Sequence, residues 1–115
     1  MSDRVQRLVQ LQDLELMIDE LQDPDQKQRE VDLGFSVENF AQLEKARDRL
    51  LKQTSKEDLR VYRRIRQRHV RAVVPVHNGI CLGCFQTLPT RIQRGAIEGG
   101  PLPACENCGR ILYWF

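Results

Sequence analysis

Cys81-Leu82-Gly83-Cys84 and Cys105-Glu106-Asn107-Cys108 contain every cysteine of the chain, as two C-x-x-C pairs with twenty residues between them. Two thiolates at this spacing sit on one tight turn, and two such turns face to face supply four soft ligands to a tetrahedral ion. A turn of this kind aims backbone amides at the sulfurs, so Gly83 and Gly109 are expected where positive φ costs little. The pattern predicts one structural zinc ion held by Cys81, Cys84, Cys105 and Cys108. A rubredoxin-type iron site has the same ligands, so spacing alone leaves iron open. Four thiolates close the coordination shell, which argues against a catalytic zinc with an activated water.

Other uses of the cysteines fit less well. Met1-Ser2-Asp3-Arg4 is no secretory leader, so a reducing cytosol and free thiols are expected. A thioredoxin-like redox pair belongs beside a βαβ pattern, which the sequence lacks. His77 precedes Cys81 by four residues and reads as a turn residue beside Asn78-Gly79, not as a ligand. Around the pairs, Ala72-Val73-Val74-Pro75-Val76, Phe85 to Leu88 and Ile111-Leu112-Tyr113-Trp114-Phe115 read as short strands, with a helical turn at Thr90 to Arg94. These segments suit a four-cysteine ribbon over residues 73–115.

Upstream, the pattern is helical. Val5, Leu8, Val9, Leu11, Leu14, Met17, Ile18 and Leu21 follow three-and-four spacing. Asp23-Pro24 signals a kink and restart, since proline is tolerated in the first turn of a helix but not inside one. Gly34 and Ser36 then suit a C-terminal and an N-terminal cap, placing a turn near 34–36. A returning helix is expected from Val37 to Arg71, with Phe40, Leu43, Ala46, Leu50, Thr54, Val61, Tyr62 and Ile65 inward. Thr54-Ser55-Lys56-Glu57-Asp58 holds two overlapping capping boxes, so a break near Ser55 is open. The expected fold is therefore α plus a small β part: an antiparallel helical hairpin, or coiled coil, over 1–72, followed by the ribbon.

Charge is uneven along the hairpin. Arg60, Arg63, Arg64, Arg66, Arg68 and Arg71 crowd the end of the returning helix, and all but Arg66 fall within an arc of about 140° at ~100° per residue. Arg60, Arg63, Arg64, Arg68 and Arg71 are thus candidate contacts for an acidic protein or for nucleic acid, against the plainer reading of a solvated face. Asp23, Asp25 and Asp32 form a candidate acidic tip at the other end. With 115 residues, 30% charged and 6% aromatic side chains and a net charge of +2, the core is modest and benefits from a metal. No apolar run reaches the ~18 residues of a membrane span. The two histidines lack a carboxylate constellation, and there is no glycine-rich phosphate loop, so an enzyme is not expected.

The C-L-G-C-F-Q-T-L-P run from Cys81 and the C-E-N-C-G-R-I-L-Y run from Cys105, preceded by Leu59 to Arg66, resemble bacterial coiled-coil proteins that end in a four-cysteine zinc ribbon. The stretch Leu8 to Leu21 is similar to the start of that family, whose typical members are about twice as long and carry an extended helical hairpin that this chain largely lacks. The resemblance implies a cytoplasmic, non-enzymatic scaffold or chaperone. Its implied partners are an enhancer-dependent alternative sigma factor, flagellar or type III export components, and in places RNA. It implies metal roles for Cys81, Cys84, Cys105 and Cys108, and a hinge-like helix carrying Tyr62 and Arg64. A helical hairpin with an acidic tip and a zinc module is also similar to RNA polymerase secondary-channel regulators, although their Asp-x-x-Asp-x-Ala pattern is missing. Self-association is compatible with either reading.

Overall fold

The structure, a computed structural model, describes residues 3–22, 37–90, 92 and 100–114. Among them are three helices, α1 (Asp3–Gln22), α2 (Val37–Gln53) and α3 (Lys56–Arg66), and a three-stranded sheet of β1 (Val73–His77), β2 (Ile80–Cys81) and β3 (Ile111–Trp114). The class is α plus β. No described helix is long and apolar enough to cross a membrane. The expected kink at Pro24 and the turn near 34–36 lie outside the described residues, as does most of the Thr90 to Arg94 turn.

The returning helix is two helices rather than one. Ser55 is extended (φ −66°, ψ 153°) and its side chain accepts a hydrogen bond from the Asp58 amide, so the second capping box is the one used. Thr54 Oγ1 donates to the Leu50 carbonyl at 2.7 Å, occupying an acceptor that α2 leaves open at its end. Arg7 Nη1 donates to the Gln53 carbonyl at 2.7 Å, which puts the last turn of α2 beside the start of α1. From there the contacts Arg4 to Asp58, Glu15 to Tyr62 and Asp19 to Arg66 advance in the same direction on α1 and α3. α3 also stops at Arg66, not Arg71. Arg68 and Arg71 therefore lie on the connection into the sheet, the first of them in a closing turn made by the Arg68 and His69 amides on the Ile65 carbonyl.

The sheet order is β2-β1-β3, with β1 antiparallel to β2 and parallel to β3. Asn78 (φ 52°) and Gly79 (φ 74°) form the two-residue turn between β1 and β2, as Asn-Gly favours. The segment Phe85 to Leu88 contributes only one bridge, Ile80 to Thr87, instead of a strand.

Side-chain alternation on β1 and β3 decides the layers. Val73 and Ile111 point to one face and pack with Val5, Leu8 and Leu11 of α1, Tyr62 and Ile65 of α3, and Ala72. Val74, Val76 and Leu112 point to the other and pack with Cys81, Leu88 and Cys105. The sheet is the middle of a helix, sheet and cysteine-turn sandwich, which explains why β1 is apolar on both faces. The expected stripe of α1 needs one correction: Met17 is 47% exposed, whereas Gln12 is 2% exposed and sits among the core residues. α1 turns Gln12 toward the sheet because a strand end there needs partners.

Candidate metal centre

The two cysteine turns are copies of each other. In the first, the Phe85 amide donates to the Cys81 carbonyl at 2.7 Å and the Cys81 amide to the Gln86 carbonyl at 3.0 Å. In the second, the Gly109 amide donates to Cys105 at 2.8 Å and the Cys105 amide to Arg110 at 2.9 Å. Both close on a left-handed residue, Phe85 at φ 62° and Gly109 at φ 78°. The expected positive φ is thus met at Gly109 but not at Gly83. Gly83 is required for space: a Cβ there would lie 2.9 Å from Arg110 Cδ and 3.2 Å from Val74 Cγ1.

Facing each other, the turns bring Cys81 Sγ to 3.8 Å from Cys108 Sγ and Cys84 Sγ to 3.6 Å from Cys105 Sγ, with all four sulfurs within 4.8 Å of one another. A tetrahedron with metal–sulfur bonds of about 2.3 Å has edges of about 3.8 Å, so one ion fits the cluster. A disulfide would need sulfurs about 2 Å apart, and all four thiols are free. The cluster is consistent with a bound metal ion, and the geometry is that of a closed four-sulfur site.

The electrostatics suit one thiolate before others are deprotonated by an ion. Burial pushes the Cys81 thiol up to about 12, against the Cys84 and Gly83 amides that favour its charge. Burial likewise raises Cys105. At Cys84 burial acts in the same direction, but hydrogen bonds from Asn107, the Gln86 amide and the Cys105 and Cys81 side chains outweigh it and bring the group to about 6. Divalent charge placed among the sulfurs would hold the remaining thiols deprotonated.

The arginines divide into two sets. Arg63 Nη1 pairs with Glu15 Oε2 at 2.5 Å, and Arg66 Nη2 pairs with Asp19 Oδ2 at 3.1 Å while Arg66 also donates to the Val70 carbonyl. Arg60, Arg64, Arg68 and Arg71 are exposed, and among the described residues no acid pairs with them. Tyr62 is fully buried and donates to Glu15 Oε1 at 2.6 Å, with burial, then the Glu15 carboxylate, raising its pKa. Asp23, Asp25 and Asp32 lie outside the described residues.

Sequence reading missed the residues that join the layers. Gln12 Nε2 donates to the Val73 carbonyl at 2.9 Å, and the Val73 amide donates to Gln12 Oε1 at 2.8 Å. Arg110 Nη2 meets His69 Nδ1 at 2.9 Å and Arg110 Nε donates to the Arg71 carbonyl at 3.2 Å, tying the second cysteine turn to the end of the helical segment. The only sequence signal for Gln12 is its position four residues after Leu8 on the apolar stripe.

No family model matches the chain, and no curated protein does. Solved structures do. CT398 from Chlamydia trachomatis is 34% identical with a TM-score of 0.57, the match covering 68% of this chain and 34% of that one. The HP0958 protein from Helicobacter pylori is 25% identical with a TM-score of 0.59, over 80% of this chain and 38% of that one. The chain spans a little over a third of the length of these structures at most, and the similarity is one of overall fold over the matched part.

Proposed function

We propose that this protein is a non-enzymatic zinc adaptor: a short helical hairpin of the bacterial coiled-coil type held at its base by a four-cysteine ribbon. The observation that carries the reading is the two-faced sheet. One face packs on the four-sulfur cluster and the other on α1 and α3, so an ion bound by the sulfurs fixes the orientation of the helical surface. Zinc is the ion that favours four thiolates with no open position, and a saturated shell suits a structural role rather than hydrolysis. Structural zinc contributes about 10 to 16 kcal/mol in small modules, comparable to the whole stability of a domain. A cytoplasmic protein partner from the transcription or export apparatus accords with the reading.

The test compares the zinc-loaded chain, the Cys105→Ser variant and an Asp23/Asp25→Ala variant as baits in a bacterial lysate, with metal content measured on each. The adaptor reading expects about one zinc per chain and a defined protein retained by the loaded chain and the Asp23/Asp25 variant but not by Cys105→Ser. Loss of core RNA polymerase with the Asp23/Asp25 change alone would favour the channel-regulator reading. Retention of nucleic acid only, released steeply by salt, would overturn the adaptor reading.

A further inference from the structure

Of the six arginines between residues 60 and 71, the fold consumes two. Arg63 and Arg66 turn toward α1 and neutralise Glu15 and Asp19. Arg60, Arg64 and Arg68 are left outward at four-residue steps, with exposed Arg71 following. The backbone supports the spacing beyond the end of α3, because the Gln67 amide donates to Arg63 and the His69 amide to Ile65, one more helical turn through Arg68. Four residues of helix advance about 6 Å, so the row carries a guanidinium roughly every 6 Å along a shallow i, i+4 ridge.

We infer that this row is the docking edge for a helix of a partner protein carrying Asp or Glu at the same four-residue step; the inference rests on the adaptor reading and names its surface. A carboxylate row at i, i+4, i+8 on a partner has the same ~6 Å pitch, and two such ridges lie along one another when the helix axes cross at about −50°. Each guanidinium can present two parallel N–H donors to a carboxylate. The chain itself offers no occupant of this kind among its described residues. On α1 the acids Glu15 and Asp19 are taken by Arg63 and Arg66, and on α2 Glu44 and Asp48 share Arg47.

Nucleic acid fits the same row less well. The one aromatic residue of α3, Tyr62, is fully buried, so α3 presents no ring beside Arg60 and Arg64 to stack on a base.

The test is an NMR titration of the arginine side-chain Nε–Hε resonances of the zinc-loaded chain at low salt. The probes are an alanine-rich helical peptide with Glu at every fourth position, an isomer with the same residues scrambled, and polyuridine. The row peptide is expected to shift Arg60, Arg64 and Arg68 together while Arg63 and Arg66 stay near their starting positions. It should bind about tenfold more tightly than the scrambled isomer. The Arg64→Gln variant should weaken the row peptide several-fold with its fold intact by circular dichroism. Equal response to both peptides, shifts confined to Arg63 and Arg66, or tighter binding of polyuridine at the same row would each overturn the inference. The adaptor reading is read separately, since a lysate partner retained equally by an Arg60/Arg64/Arg68→Glu chain would leave the adaptor standing and remove this surface from it.

Discussion

Gln12 and Val73 exchange two hydrogen bonds inside the core, 2.9 Å and 2.8 Å long, across 61 residues of sequence. The Gln12 carboxamide thereby does for the first residue of β1 what a neighbouring strand would do, presenting one donor and one acceptor to a main-chain amide and carbonyl. Because Val73 lies on the face shared with α1 and α3, the clamp sets where the sheet meets the helices.

Replacing Gln12 by Leu keeps the volume but strands a buried N–H and a buried C=O. The expected loss is about 2 to 4 kcal/mol, read by urea unfolding of the zinc-loaded chain. Gln12→Glu preserves the acceptor for the Val73 amide but sets a carboxylate against the Val73 carbonyl. That variant should lose stability as pH rises from 5 to 8, because burial favours its protonated form. A Gln12→Leu chain within 0.5 kcal/mol of wild type, roughly the noise of a surface substitution, would show that the clamp contributes nothing.

At the start of α3, Arg4 grips Asp58 through Nε and Nη2 at 3.0 Å and 2.8 Å, while Arg4 Nη1 donates to the Gly100 carbonyl at 2.5 Å. The Arg4 hydrogen bond lowers the Asp58 pKa against the opposing effect of burial, with Ser55 helping. A carboxylate depressed in the folded state adds stability above its unfolded value of about 3.9, and that stability is lost as pH falls through the folded value. Asp58→Asn is therefore expected to be about 2 kcal/mol less stable than wild type from pH 8 to pH 5, discounted for the part-exposed arginine. The difference should fall away only below about pH 4. Urea unfolding across that range checks it, and a difference already gone at pH 5 would assign the energy to another group.

The two cysteine turns predict opposite effects at equivalent positions. Phe85 holds φ 62° with its side chain 72% exposed, so Phe85→Gly removes strain and little burial. A gain of about 0.5 to 1 kcal/mol in the loaded protein is expected, after allowing for the greater freedom of glycine in the unfolded chain. Gly109→Ala should lose about 1 kcal/mol through the backbone alone, since nothing lies within 4 Å of the added carbon. Thermal melts of both variants decide this; destabilisation by Phe85→Gly would mean that the phenyl ring contributes contacts the exposed geometry does not show.

Much of the architecture was legible because it is written in short-range chemistry. The two C-x-x-C turns and Asn78-Gly79 specify local backbone through one or two side chains and form as expected, and the Ser55 to Asp58 cap realises the break that the sequence leaves open. What escaped was whatever depends on the far side of the molecule. Gln12 looks like a solvent-facing helix residue until β1 arrives beside it, and Glu15 looks like one more surface acid until Tyr62 and Arg63 reach it. The six arginines likewise share one composition, and only the packing of α3 on α1 separates the two that are consumed from the row that is left. Gly83 was rightly singled out but for the wrong reason, since its constraint is the approach of Arg110 and Val74 and not its φ.

Metal removal connects these layers. Sequence alone suggests that Cys105→Ser would release the metal and unfold residues beyond about 75 while most helical signal persists. The structure extends that expectation to the helical core, because Ala72, Val73 and Ile111 complete it around Tyr62, Leu8 and Leu11. Loss of the ion should release β1 and β3, so the near-ultraviolet signal of Tyr62 should collapse while far-ultraviolet helicity falls only in part. Rebinding should be pH-dependent, because the sulfurs hold the ion as thiolates and burial in the folded state works against the charged forms of Cys81 and Cys105 until the ion is there. Apparent affinity is then expected to rise with pH between about pH 6.5 and 8, measured by chelator competition. A slope near zero, or Cys105→Ser protein with an unchanged tyrosine signal, would mean that the four sulfurs do not hold this fold together.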